Sequence, residues 1–501
     1  MNMKTISLSL AALILLVVVG CDKTIDVTQP GEYIPSANDE LATAWAPFLA
    51  DTNALVVPAP PADVTAELAT VKAAVASRTS EQNAAIAYWS SGALMRWNEI
   101  ACELVAKYNV APYAERNADG TFTGKFISDP NKPFTNPPYA SRLYALLSVS
   151  NYDALIRAWQ VKYKYNRAAP YTLDPSISPA VAKSTLPSYP SEDAVISASA
   201  RDLLTFMFPL EKDYLAQKAK ESMDVRVWAG ANLPSDIAAG DSLGHAVAQL
   251  AIAYAKTDGM SKANDQARWK AKEATITTTY PHWASQETPS RPPMLPFFGE
   301  VKMWNVPNVE AVRPGPPPEF GSAQWNKDME EMRDLTKNRT REQVRIANYW
   351  EDGGGTYCPP GHWNRIACDD IRAAKFSTIR AARVLAYMNS AEHDAAVSCW
   401  DTKYTYVTPR PRQVDPSITM SAGLPNFPGY TSGHSNYSAA AATVLSHFFP
   451  TKAASYAAMA KEAADSRVYS RIHVRTDCEV GVTQGNAIGA YAVQRAMKER
   501  E

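Results

Sequence analysis

The chain repeats itself, and a repeat on this scale decides most of what it can fold into. At one constant offset, Asp153, Trp159, Lys162, Tyr163 and Tyr165 recur as Asp394, Trp400, Lys403, Tyr404 and Tyr406. The run Asp174-Pro175-Ser176-Ile177 recurs as Asp415-Pro416-Ser417-Ile418, Tyr189 and Ser191 as Tyr430 and Ser432, and Phe208-Pro209 as Phe449-Pro450. Asp224, Arg226, Val227, Asp236, Gly240 and Gly244 then return as Asp465, Arg467, Val468, Asp477, Gly481 and Gly485. Upstream, Trp97-Asn98-Glu99-Ile100-Ala101-Cys102 pairs with Trp363-Asn364-Arg365-Ile366-Ala367-Cys368 at a different offset, so the loops between differ in length. Such self-similarity identifies two copies of one structural unit. The unit reads as helical: 435–449 is Ala-rich and apolar throughout, with Pro450 as its stop, and 454–464 and 481–497 follow the same habit. Alternating Val/Ile/Thr runs are scarce, so strands should be rare. The expectation is an all-α fold of two related helical bundles, 85–255 and 341–501. The connector, 256–340, contains Arg313-Pro314-Gly315-Pro316-Pro317-Pro318 and reads as a stiff crossover packed on the bundles.

The copies differ where chemistry would be done. The second carries Lys403-x6-Arg410-Pro411, then Ser432-Gly433-His434, then Ser466-Arg467-x5-His473-x3-Asp477. These supply three cations, a hydroxyl, a glycine amide and two histidines, one with an Asp four residues on. Arginine forks and a lysine point charge suit a tetrahedral or trigonal-bipyramidal oxyanion such as phosphate or vanadate. Ser432-Gly433-His434 stands where the Ala-rich helix begins, and free amides and the helix dipole favour an anion there. Ser432 fits as its N-cap, and Gly433 lets an oxyanion approach the backbone. A carboxylate at Asp477 would fix the tautomer of His473 and make its other nitrogen a better nucleophile or ligand. In the first copy Ala169 replaces Arg410, Glu192 replaces Gly433, Asp193 replaces His434 and Asn232 replaces His473, while Lys162, Ser191 and Arg226 are kept. Two carboxylates there repel an oxyanion, so the first copy reads as structural and the second as active.

This pattern resembles the superfamily that unites vanadium-dependent haloperoxidases with type-2 phosphatidic acid phosphatases and bacterial class A acid phosphatases. Its pattern is Lys-x6-Arg-Pro, Pro-Ser-Gly-His and Ser-Arg-x5-His-x3-Asp, and the chain departs once, at Thr431, where the family has Pro. The resemblance implies that Lys403, Arg410 and Arg467 neutralise the oxygens of the anion, with Ser432 and the Gly433 amide completing the cradle. It implies that His473, oriented by Asp477, ligates vanadium in a haloperoxidase or attacks phosphorus in a phosphatase. His434 is then the acid–base partner of bound peroxide, or the general acid for the leaving group. One geometry serves both because vanadate resembles the pentacoordinate phosphoryl state. The cofactor is vanadate in the first case, with peroxide and halide or another small reductant as substrates. A phosphatase needs no cofactor and takes a phosphoester. Haloperoxidases of this superfamily contain two related bundles with one working site, which favours the peroxidase. A non-enzymatic helical surface-binding lipoprotein is a third class, disfavoured by the intact acid–base pair. Family chloroperoxidases carry aromatics at places matching Trp400 and Phe427, although Trp159 in the first copy makes core packing the simpler account of Trp400.

Other features are softer. Asp352-Gly353-Gly354-Gly355 lacks the Lys-Ser/Thr of a P-loop and reads as a pocket-lining loop or a turn, with Asp352 and His362 as candidates to touch the site. Lys4, an apolar run over 6–19 and Val18-Val19-Gly20-Cys21 are similar to a bacterial lipoprotein signal. This implies a signal peptide over 1–20, lipidation of Cys21, and a tether and N-terminal region over 21–84. The domain would then be held at the cell envelope, in the periplasm or at the cell surface. Of the remaining five cysteines, an odd number, Cys102 and Cys368 read as reduced core thiols. A formal net charge of −1 over 501 residues argues against nucleic acid as a partner; oligomeric state is left open.

Overall fold

The computed structural model describes residues 30–276 and 281–499, so the signal segment and Cys21 lie outside the described residues. Residues from Glu32 on form one compact unit. The first repeat runs α1 (Thr65–Ala76), α2 (Ser80–Trp89), α3 (Ala93–Tyr108), α4 (Pro137–Tyr165), α5 (Pro170–Leu173), α6 (Glu192–Met207), α7 (Lys212–Trp228) and α8 (Pro234–Thr257). After α9 (Gln266–Glu273) in the connector, the second runs α10 (Ala323–Asn338), α11 (Arg341–Tyr349), α12 (Cys358–Ala374), α13 (Thr378–Tyr406), α14 (Pro411–Val414), α15 (Gly433–Phe448), α16 (Ala453–Tyr469) and α17 (Arg475–Ala496). One antiparallel hairpin, β1 (Tyr113–Arg116) with β2 (Phe122–Ile127), is the only sheet among the described residues. The fold is all-α, as the sequence pattern predicts.

The copies agree in local detail. Thr79 and Thr340 start α2 and α11 with the same capping box, to Gln82 and Gln343. Asn166 and Val407 end α4 and α13 in the left-handed conformation. The Tyr189–Pro190 and Tyr430–Thr431 bonds are both cis, so Thr431 occupies the backbone place that a proline holds in the first copy. Arg142 pairs with Asp258 at 2.6 Å, and Arg383 with Glu499 at 2.8 Å in the second copy.

Helices α4 and α13 are buried along most of their length and pack against each other at the centre. A polar ladder crosses this interface: Asn98 donates to Asn364, while Asn389 donates to Asn364 and to Ser148. Within each copy a glycine-bearing helix lies close on its neighbour, α8 on α6 and α17 on α15. A Cβ at Gly244 would sit 2.2 Å from the Val195 carbonyl oxygen, and one at Gly485 2.4 Å from that of Asn436.

Each repeat is also bound by a strap. The Asp153 carboxylate accepts from the amides of Phe48 and Leu49, and Asp394 from those of Trp304, Asn305 and Val306. The repeat therefore reaches upstream of residues 85 and 341, and the region 21–84 contains packed structure from Glu32 on. The Pro-rich connector is likewise seated on the second bundle, with Arg313 on Asp401 and the Gly315 carbonyl accepting from the Tyr430 hydroxyl. The five cysteines of the described residues are free and buried. No helix among the described residues is long and apolar enough to cross a membrane.

Candidate active site

The fold gathers the second copy's motif at one end of its bundle. Lys403 lies in the last turn of α13, and Arg410 is the N-cap of α14. Ser432 is the N-cap of α15, its hydroxyl oxygen accepting from the Ser435 amide. Arg467 lies in the last turn of α16, His473 sits in the following loop and Asp477 in the first turn of α17. The Ser432 amide donates to the Asp477 carbonyl at 2.9 Å, which ties the start of α15 to that of α17.

His473 is held on both sides. Its Nδ1 lies 2.9 Å from Asp477 Oδ2, and its Nε2 2.9 Å from Arg410 Nη1. A guanidinium has no acceptor, so Nε2 carries the lone pair and the proton sits on Nδ1, facing the carboxylate. Burial, with Arg410 and Lys403 nearby, holds the imidazole well below its ordinary pKa. His434 donates Nε2–H to the Glu351 carbonyl at 3.1 Å and is neutral for the same reasons, burial first and Arg467 second.

The cations are buried at a cost. Burial lowers Lys403 to about 8, Arg410 to about 10 and Arg467 to about 10. Lys403 donates to the carbonyls of Pro428, Gly429 and Thr431; Arg410 also donates to those of Phe427 and Ile472, and Arg467 to that of Ala347. None of the three forms an ion pair with a carboxylate among the described residues. Asp477 is nearby, but burial raises it to about 7, with Lys403 and Arg410 pulling the other way. Concentrated, uncompensated positive charge at a helix N-terminus fits an oxyanion such as vanadate or phosphate.

The first copy shows the alternative. There Lys162 pairs with Glu192 at 2.8 Å and Arg226 with Asp193 at 3.1 Å. The carboxylates expected to repel an anion do more: they supply the negative charge themselves. Burial opposes ionisation of Glu192, but Lys162 and Arg226 hold its pKa below the ordinary value.

A pocket of about 360 Å³ opens on the second copy's motif. Gly433, His434, Arg467 and His473 line it, whereas Lys403, Arg410 and Ser432 are fully buried and do not. Trp400 and Phe427 are both in the wall, their ring centroids 4.9 Å apart. Trp400 is also core, its indole N–H on the Met294 carbonyl as that of Trp159 is on Asn38. Asp352 lines the pocket, whereas His362 braces it from behind at 3.1 Å, stacked on Trp350. Sequence reasoning missed Met294, Asn426, Tyr437 and Ile472, and it missed Asn109, Phe134 and Asn136, which the first repeat contributes. For Tyr437 a signal existed: it stands four residues after Gly433, on the same face of α15. Asn109 fixes the glycine loop, donating to the Gly353 and Thr356 carbonyls. The first copy has a matching pocket of about 320 Å³, lined by Trp159, Glu192, Asp193 and Arg226, with Ser377 and Thr378 crossing from the second.

Residues 383–501, which hold all of this motif, match the family model of the PAP2 superfamily. The solved structures extend the likeness beyond these residues to both bundles. A bacterial vanadium-dependent iodoperoxidase matches with a TM-score of 0.60 and 21% identity over 80% of this chain and 95% of that one. Bacterial vanadium-dependent chloroperoxidase matches in holo and apo forms with TM-scores of 0.51 and 0.50, at 14% identity over 74% of this chain and 95% of each. At these identities the likeness establishes the fold. No curated protein sequence matches the chain.

Proposed function

We propose that this protein is a haloperoxidase-type oxidoreductase that holds vanadate in the second repeat and oxidises halide, or another small reductant, with hydrogen peroxide. The observation that carries this reading is the contrast between the copies. In one fold, Lys403, Arg410 and Arg467 are buried without carboxylate partners around a neutral His473, whereas their counterparts Lys162 and Arg226 have such partners. The doubled bundle, shared with vanadium-dependent peroxidases, favours this over a phosphomonoesterase built on the same cradle.

Bound vanadate would supply the Lewis acidity that activates peroxide for two-electron oxidation of halide. Lys403, Arg410 and Arg467 neutralise its oxygens, and the Ser432 hydroxyl and the first amides of α15 donate to them. His473 offers the Nε2 lone pair as ligand, and Asp477 keeps the proton on Nδ1. His434, neutral at pH 7, takes a proton from incoming peroxide and returns it to the departing oxygen. Trp400 and Phe427 wall the pocket beside His434 and His473, where a halide would be held. Lipidation at Cys21 would hold the enzyme at the cell envelope; Cys21→Ala should release it into the soluble fraction.

The test is bromide-dependent halogenation with peroxide by the chain from about residue 30, with and without orthovanadate. Activity that needs vanadate and is lost in His473→Ala supports the reading. Hydrolysis of an aryl phosphate, inhibited by vanadate and with no halogenation, overturns it in favour of a phosphatase working through a phosphohistidine.

A further inference from the structure

The copies differ at a second place, beside Asp477 and outside the cradle. In the first copy Arg167 stands between two carboxylates, 3.0 Å from Glu67 and 3.6 Å from Asp236. Both acids recur in the second copy. Asp236 returns as Asp477, and Glu67, counted back from the matched caps Thr79 and Thr340, returns as Asp328. The packing agrees with that match: Leu68 clusters with Val71, Ile177 and Leu233, as Met329 does with Met332, Ile418 and Val474. The arginine does not recur, and Thr408 takes its place.

Where the first copy has a guanidinium, the second has a cavity of about 60 Å³ lined by Asp328, Asp477 and Thr408. That volume holds several water-sized groups. Asp328 and Asp477 are 3% and 7% exposed. Neither pairs with a lysine or arginine among the described residues: Asp328 accepts from Gln324 Nε2 at 3.0 Å, and Asp477 from His473 Nδ1 at 2.9 Å. Two buried carboxylates on one small space repel each other unless a cation stands between them. The rest of the lining selects among cations. A hard metal ion asks for about six oxygens, whereas the other walls include Pro317, Pro409, Phe320 and Trp325. Rings and prolines suit a flat, weakly hydrated cation. Phe320, its ring centroid 4.3 Å from that of Trp325, is 46% exposed, so this wall of the cavity reaches the surface.

We infer that this cavity binds a guanidinium group from outside the chain, which takes the place between Asp328 and Asp477 that Arg167 takes between Glu67 and Asp236. The cavity touches Asp477 and not His473, while the pocket over the cradle touches His473 and not Asp477. The bound cation therefore acts on the carboxylate that holds the His473 Nδ1 proton without obstructing the cradle, under peroxidase or phosphatase chemistry alike.

The experiment follows thermal unfolding of the full chain with guanidinium chloride up to about 20 mM, against tetramethylammonium chloride at the same ionic strength. Tetramethylammonium has the charge but no N–H donors. The expected result is a saturable rise in Tm with guanidinium alone, about 2 °C at ten times its dissociation constant. Asp328→Asn should abolish the rise, and so should Thr408→Arg, which supplies the guanidinium from within as the first copy does. No rise beyond that with tetramethylammonium, or a rise that survives in Asp328→Asn, overturns the inference. An equal rise with potassium chloride overturns the choice of guanidinium in favour of an inorganic cation. A parallel titration with N-acetyl-arginine methylamide separates the sources: binding as tight as that of guanidinium assigns the site to an arginine side chain of a polypeptide, and no binding assigns it to a small free guanidinium compound.

Discussion

At the scale of single residues, Lys403 ties the electrostatics to pH. Burial lowers its pKa to about 8, so its ammonium is present below that pH and lost above it. Oxyanion affinity that depends on this charge is therefore full below pH 8 and falls as pH rises through it, with a bound anion pushing the fall upward. Calorimetric titration of phosphate between about pH 6 and about pH 10 should show this fall. Lys403→Met should flatten it and weaken binding at neutral pH by about 2 kcal/mol, roughly thirtyfold. Unchanged affinity would mean that the lysine only braces the 428–431 loop. Glu392 makes a different case. Both its carboxylate oxygens lack hydrogen-bond partners, and burial raises its pKa well above the ordinary 4.5. A raised folded pKa contributes stability that is full below the unfolded value and is lost as pH climbs toward the folded one. Glu392→Gln, neutral throughout, should match the parent at acid pH and exceed its Tm increasingly above pH 4.5. A constant difference across pH would show that Glu392 ionises normally.

Helix packing gives glycine two meanings, which one pair of variants separates. Gly485→Ala would drive a Cβ to 2.4 Å from a backbone oxygen of α15, so α15 and α17 must part. The expected cost is about 2 kcal/mol, read as a lower Tm. Gly433→Ala meets only ordinary contacts, 3.6 Å from Tyr437 and 3.9 Å from Trp400. It should fold with stability within about 0.5 kcal/mol of the parent, yet bind phosphate or vanadate more weakly, because the new methyl stands beside the first amides of α15. If both variants lose stability alike, Gly433 serves packing and not the cradle. Elements also mark where sequence reading succeeds and stops. Lys403, Arg410, Arg467 and His473 were legible because anion chemistry demands those types at fixed spacings. The straps were not, because Asp153 and Asp394 bind backbone amides, and Phe48-Leu49 and Trp304-Asn305 need share no side-chain pattern. The pocket wall was hidden for a related reason: Met294, Phe134 and Ile472 supply apolar surface that many residues could supply. Asn109 and Asn136 arrive only because the two bundles pack across α4 and α13.

In the whole molecule the duplication produces two pockets, each closed by the start of the other copy's long helix, yet only one with a full cradle. The first copy is not a cradle left open. Glu192 and Asp193, with side chains 16% and 18% exposed, sit on Lys162 and Arg226 and replace the anion with covalently attached carboxylates. Sequence comparison located both acids; their ion pairs appear only once α6 and α7 are folded together. The first bundle thus holds its two cations against its own carboxylates, and it lends Asn109, Phe134 and Asn136 to the wall of the second copy's pocket. Phosphate should accordingly bind at one site per chain. Glu192→Gln with Asp193→Asn leaves the buried Lys162 and the half-buried Arg226 without carboxylate partners and should destabilise the chain by about 3 kcal/mol. Because a ligand that binds only the folded state restores stability by mass action, phosphate should raise the Tm of this double variant more than that of the parent, with a second site seen by calorimetry. A double variant as stable as the parent, with no extra response to phosphate, would show that the carboxylates are incidental and that the first bundle holds its cations by the Pro187 and Asn232 hydrogen bonds alone.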